Sequence, residues 1–240
     1  MSRRIKSVLK EQKIRMILSY ISDTSGKKCL DIGSGSGITS LILRENGGDW
    51  VSAEMEEDAL NSIRKLVGEN VYKIDGRSTP FRDRGFDLVV IVDFLEHIET
   101  DMEFVSELHR IMKDGGILII NVPLLRRGAV IPALRNLIGL TDERHGHVRP
   151  GYTVAGLRGL LGQKFEIVGY STYVKFFSEL IDTAINFVGK GEKRVEEAGA
   201  GGATYKLYSV IYPFLYLISK LDYLFFFTRG ARLIVEARKH

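Results

Sequence analysis

Residues 29–37 read CLDIGSGSG, an apolar run holding Asp31, followed by glycines at alternate positions, Gly33, Gly35 and Gly37. Glycine lacks a Cβ, takes φ > 0 at little steric cost and lets a ligand approach the main chain. A turn of this kind before a helical pattern, here TSLILREN, offers backbone N–H groups and a helix N-terminus to an anion. Charge at a helix end is worth roughly 0.3–1 kcal/mol. In an α/β sheet this is the place where nucleotides bind. Two phosphate-binding motifs do not fit it. A dinucleotide fingerprint runs G-x-G-x-x-G/A, and Ile38 stands where its last small residue belongs. A P-loop requires a Lys after its last glycine, and none follows Gly37. Further on, Glu54 ends the strand-like run DWVSAE. One carboxylate with two acceptor oxygens suits the two hydroxyls of a ribose.

What remains, D-x-G-x-G-x-G, resembles motif I of the class I S-adenosylmethionine (SAM)-dependent methyltransferases, specifically the small-molecule, UbiE- and methyltransferase-11-like members. The resemblance covers about 25–170 and the terminal strand. It implies SAM as cofactor, S-adenosylhomocysteine as product, and no metal. Asp31, Gly33, Ser34, Gly35 and Gly37 form the cofactor turn, with Asp31 placed to meet the ligand's ammonium directly or through water; as an isolated Asp it would read as a cap. VSAEMEEDAL resembles the second motif, which puts Glu54 on the diol and Met55 beside the adenine. Asp75-Gly76 and GRSTPFRDRGFDLVVIVDFLEHI resemble the third and fourth. By that resemblance Asp75 accepts from the adenine amino group, the Gly76 backbone faces the ring edge, and Asp93 and Phe94 lie beside the methyl donor. His97, in LEHI, is either a base near the substrate or a structural histidine. In TDERHGHVRPGY, His145, His147, Arg149 and Tyr152 either orient an acceptor, with His147 as a second candidate catalytic group, or pin the loop to the sheet edge. His145 and His147 at i, i+2, with no companion cluster of fixed spacing, make a poor metal site.

The elements that must position these residues alternate in type, as in a parallel sheet covered on both faces. KKCLDIG, DWVSAE, NVYKID, FDLVVIVD, GILIINVP, KFEIVGYSTY and ARLIVEARK read as seven strands, with helices over MEEDALNSIRKLVG, TDMEFVSELHRIMKDGG and TVAGLRGLLG. Asp114-Gly115-Gly116 reads as a helix C-terminus. The expected fold is α/β: a Rossmann-like, seven-stranded, mostly parallel sheet with helices on both faces, an antiparallel last strand, and a helical insertion between strands six and seven. The chain reads as a single class I methyltransferase domain over 1–240, with an N-terminal helical segment at 1–24, a lid or substrate loop at 124–152 and a hydrophobic insertion at 175–228.

Composition narrows the partners. The 240 residues carry 34 basic and 30 acidic side chains, a net charge of +4 that is too small and scattered for a nucleic-acid surface. The lone cysteine, Cys29, lies in a strand-like run, so no disulfide framework exists and a buried core thiol is expected. No N-terminal signal sequence is visible, and the expected compartment is the cytoplasm. Within the insertion, LYSVIYPFLYLIS runs thirteen residues without a charge, short of the roughly 20 that cross a membrane. It is open between a cap over the site, a homodimer surface and a peripheral membrane patch at 207–227 for a lipid-like acceptor. The function expected is O- or N-methylation of a small-molecule acceptor. A SAM-binding sensor or scaffold without transferase activity is the alternative.

Overall fold

Runs of Val, Ile and Leu bounded by glycine and aspartate make the strands, because β-branched chains pack on a pleated surface covered from both sides. The computed structural model describes residues 7–126, 131, 147–188, 203–225 and 227–240. His145, Phe226, most of the 124–152 segment and the glycine- and charge-rich stretch 189–202 lie outside the described residues. In order the elements are α1 (Val8–Tyr20), β1 (Lys28–Ile32), α2 (Ile38–Glu45), β2 (Asp49–Glu54), α3 (Glu57–Val67), β3 (Val71–Lys73) and β4 (Phe86–Val92). A 3₁₀ turn (Leu95–His97), α4 (Asp101–Ile111), β5 (Met112–Pro123), α5 (Val154–Leu161) and β6 (Phe165–Tyr173) follow. The chain ends with α6 (Phe176–Val188), α7 (Ala203–Ser219), a second 3₁₀ segment (Lys220–Phe225) and β7 (Arg232–Lys239).

The strands form one seven-stranded sheet in the order β3-β2-β1-β4-β5-β7-β6. The β1–β2, β1–β4, β2–β3 and β4–β5 pairs are parallel. β7 runs antiparallel to β6: the Ala231 N–H donates to the Val174 carbonyl and His240 to Lys164. This is the mostly parallel, Rossmann-like sheet with helices on both faces and a helical insertion before the last strand. Its central strands are fully buried, with Leu30, Val89, Ile91, Leu118 and Ile120 in one apolar cluster. Strand order reverses between β1 and β4, so their carboxyl ends open a crevice, the usual ligand position in such sheets.

One boundary differs from expectation. Asp114-Gly115-Gly116 does not stop a helix: α4 ends at Ile111, and Met112 already pairs with Phe86 in β5. The register then jumps, with Leu88 opposite Ile117, so 113–116 bulge from the ladder. Gly115 at φ 74° makes the bulge, and the Lys113 ammonium, 2.7 Å from Asp87 Oδ1, ties it down.

The chain divides into two compact units. One, Ile17–Leu125, His147–Ser171 and Leu233–His240, carries most of the sheet. The other, Met1–Met16, Arg126–Gly146 and Thr172–Arg232, carries α6 and α7.

Candidate functional site

The glycine turn leaves β1 and enters α2 with Gly33, Gly35 and Gly37 at φ 81°, 57° and 78°, the left-handed region in each case. The three positions do different work. A Cβ on Gly33 would lie 2.4 Å from the Val92 carbonyl oxygen, and one on Gly37 2.8 Å from the Ile63 Cα. Both glycines are therefore needed for close backbone packing. At Gly35 a Cβ would meet nothing within 4 Å, so the main chain there faces open space. α2 has no side-chain cap at its N-terminus.

Asp31 lies buried at the base of this turn. Its carboxylate is fully buried and accepts from the hydroxyls of Ser34 (2.5 Å), Ser40 (2.7 Å) and Ser52 (2.7 Å) and from Arg44 at 3.4 Å. The direct ammonium contact expected of it would require displacing one of these donors. Asp31 instead locks β1, the turn, α2 and β2 together, and the Ser34 hydroxyl is spent on it.

Glu54 reaches the turn from the end of β2. Its Oε2 accepts from the Gly35 N–H at 3.2 Å and its Oε1 from the Met55 N–H at 2.8 Å. Burial pushes its carboxyl above the usual range, while the backbone donors of Met55 and Gly35 pull the other way. The Glu56 backbone N–H pulls the same way as these donors.

Gly76, at φ 78°, sits in a slot: a Cβ would come within 2.7 Å of the Ile98 Cγ2 and 3.2 Å of the Met55 sulfur. The slot has two apolar walls, and Asp75 stands exposed beside it. Asp75 Oδ1 accepts from the Arg77 and Ser78 N–H groups at 2.8 Å, which holds its carboxyl below the ordinary value, Ser78 contributing most. At the end of β4, Asp93 adopts φ 48°, an uncommon conformation for a residue with a side chain, and its N–H donates to the Asn121 carbonyl. The Asn121 side-chain amide donates back to Asp93 Oδ1 at 2.9 Å. Phe94 is buried against Phe104, ring centroids 5.0 Å apart.

Beyond β4 the 3₁₀ turn brings three polar groups together. The His97 and His147 rings meet edge to face at 4.7 Å, and one donor atom each from Glu96, His97 and His147 lies within 4.8 Å of the others. Glu96 is fully buried, and its carbonyl accepts from the Val148 N–H. Two imidazoles and a carboxylate are a donor set suited to holding a proton or a divalent ion.

Arg149 and Tyr152 face inward. Arg149 donates to the Ile98 carbonyl at 2.9 Å and the Tyr152 hydroxyl at 2.7 Å, and pairs with Asp101. The Tyr152 hydroxyl also lies 2.9 Å from Asp101 Oδ2 and 3.1 Å from the Leu95 carbonyl, and burial raises its pKa. These contacts fasten 147–152 to the turn after β4. Ile98, Glu96, Asp101 and Asn121 escaped the sequence reading. Asn121 alone carried a signal, as a polar residue inside the apolar run GILIINVP.

A doubly wound sheet with its glycine turn, buried acid and aspartate at positive φ at the switch-point crevice has the arrangement in which α/β sheets usually place a ligand site. Residues 30–120 match the family described as Methyltransferase domain. A demethylmenaquinone methyltransferase of Clavibacter sepedonicus is 31% identical over 134 residues, 49% of this chain and 55% of that protein. A ubiquinone biosynthesis O-methyltransferase of Actinobacillus pleuropneumoniae is 29% identical over 115 residues, 42% of this chain and 49% of that protein. The chain spans about half the length of these curated relatives. A solved S-adenosylmethionine dependent methyltransferase from Mesorhizobium loti shares the fold, with TM-score 0.59 at 18% identity over 95% of this chain and 96% of that one. The family match falls on the part of the chain that runs from β1 to β5, which carries the glycine turn, Glu54 and Asp93.

Proposed function

We propose that the protein transfers a methyl group from SAM to oxygen or nitrogen of a small-molecule acceptor, of hydrophobic or lipid-like character. The observation that carries the reading is the Gly35 position, open to a ligand and held from the side by the buried Glu54 carboxylate. The residues present fit the cofactor. The open main chain at Gly35 would border the amino-acid end, Glu54 would take the ribose hydroxyls, and Met55 with the exposed Asp75 would meet the adenine. When bound, SAM supplies an electrophilic methyl group on a sulfonium. The chain's own task is alignment, and rate then comes largely from holding the acceptor atom in line. An alcohol acceptor also needs a base. His97 and His147 are the groups proposed for it, with Glu96 to set the imidazole that takes the proton.

The test is calorimetric titration with S-adenosylhomocysteine, with NADH as control, followed by incubation with SAM and a panel of hydrophobic phenols, alcohols and amines. Binding of S-adenosylhomocysteine alone, lost in Glu54→Ala, and a methylated product from one member are expected. Binding without any product, or binding unaffected by Glu54→Ala, would sink the catalytic or the site assignment respectively.

A further inference from the structure

The unit holding α6 and α7 buries charged and polar side chains beside apolar ones such as Ile14, Val174 and Ile181. The Glu11 carboxylate pairs with Arg15 and accepts from the Tyr212 hydroxyl, Gln12 donates to Ser178 at 2.8 Å, and Arg126 pairs with the buried Glu179 at 2.5 Å. Asp222, buried, accepts from the N–H groups of Phe177 and Ser178 at 2.8 and 3.2 Å. Its exterior is apolar. Val210, Phe214, Leu217, Leu221 and Leu224 follow one another at spacings of three and four, the period of one helix face, and Phe214, Leu217 and Leu224 are 71%, 68% and 67% exposed. The stripe continues into an aromatic cluster, where Phe225 contacts Phe176 and Phe227 with centroids 6.0 Å apart and Phe227 is 73% exposed. Burying such side chains elsewhere is worth about 1.5–3 kcal/mol each, so a face of this kind marks an interaction site.

The charge around it selects the occupant. From Ala203 to Arg229 the charged residues are Lys206, Lys220, Asp222 and Arg229, and Asp222 points inward. Lys220 lies over the rings of Tyr216 and Tyr223, at 4.4 and 5.6 Å, and Arg229 is exposed. An apolar face bordered by cations and tyrosines complements an anionic lipid surface, where the rings sit at headgroup level and the ammonium meets phosphate. A second copy of the same face would oppose like charges. No helix among the described residues is long and apolar enough to cross a membrane. We propose that the outward face of 210–227 docks in the plane of an anionic bilayer. The proposal is independent of the cofactor assignment.

The experiment is cosedimentation of the full chain with vesicles of phosphatidylcholine alone or mixed with phosphatidylglycerol. Binding is expected to the mixed vesicles, and to weaken as salt shortens the screening length from about 30 Å at 0.01 M toward about 3 Å at 1 M. Replacing Phe214, Leu217 and Leu224 together by Ser should lower partition by at least about tenfold, with circular dichroism and the melting midpoint preserved. Should that variant misfold, Tyr223→Ser with Phe227→Ser, both at highly exposed positions, gives the same reading. Lys220→Glu should weaken binding to mixed vesicles alone. Absence of binding, equal binding to both vesicle types, or partition unchanged in the folded serine variants would overturn the proposal. So would a dimer that those serines dissolve and that ignores vesicles, since the face would then be covered by a second copy.

Discussion

Glu54 carries opposing demands. Burial raises its pKa against the pull of the Met55 and Gly35 N–H groups. An acid raised above its unfolded value stabilises the fold fully below about pH 4.3 and loses that contribution as pH climbs through the raised value. Glu54→Gln, neutral throughout, escapes the loss. In urea titrations without ligand, its stability relative to wild type should therefore rise between about pH 4 and pH 7; a flat difference would contradict the burial argument. The same substitution should weaken S-adenosylhomocysteine roughly 10- to 100-fold, since a hydrogen bond to a charged group is worth about 1.5–3 kcal/mol. Asp31 is held by side-chain donors. Asp31→Ala strands three hydroxyls and the Arg44 guanidinium. A cost of about 3–5 kcal/mol is expected, read as a lower urea midpoint. Both acids stand out in the sequence, yet the network around Asp31 was not legible there, because it depends on the donors that Ser40, Arg44 and Ser52 bring from α2 and β2.

The glycine turn separates packing from access. Gly33→Ala places a methyl group 2.4 Å from the Val92 carbonyl oxygen, a backbone atom that cannot yield without moving β4. Gly35→Ala meets nothing, and costs only the left-handed conformation, about 1–2 kcal/mol. Thermal melts should therefore rank Gly33→Ala far below Gly35→Ala. Gly35→Val should stay folded and lose S-adenosylhomocysteine binding in calorimetry, and a Gly35→Val that binds normally would place the ligand elsewhere. The alternation of strand and helix was readable from Val, Ile and Leu runs and their glycine stops. The Asp114-Gly115-Gly116 stop misled because a helix C-terminus and a strand bulge both call for a glycine at positive φ. Only the pairing of Met112 with Phe86 tells them apart.

At the scale of the whole molecule, a ligand that binds only the folded chain stabilises it by mass action, about 2.7 kcal/mol at 100 times its Kd. For a chain of this length each kcal/mol is worth about 2–4 °C, so S-adenosylhomocysteine should raise the melting midpoint by about 5–10 °C in wild type. Gly35→Val should show no shift. The chain's two compact units differ in interior, one an apolar cluster around β1, β4 and β5, the other mixing buried Glu11, Glu179 and Asp222 with Ile14, Val174 and Ile181. The second unit was legible only as an apolar segment of unsettled purpose. Hydrophobic count alone does not tell which side of a helix faces out, and here Phe214, Leu217 and Leu224 do.

By itself the sequence determined the α/β alternation, the glycine turn with its spacing, and Glu54 at the end of the second strand, because these are local features, written in consecutive residues. The tertiary structure alone decided the rest. Crossing from β3 back to β4 puts Asp93 at the crevice beside Gly33, and it brings Asn121 of β5 onto Asp93. The fold also carries His147 fifty residues along the chain to the ring of His97. Such meetings depend on strand order and loop path, and no run of neighbouring residues encodes them.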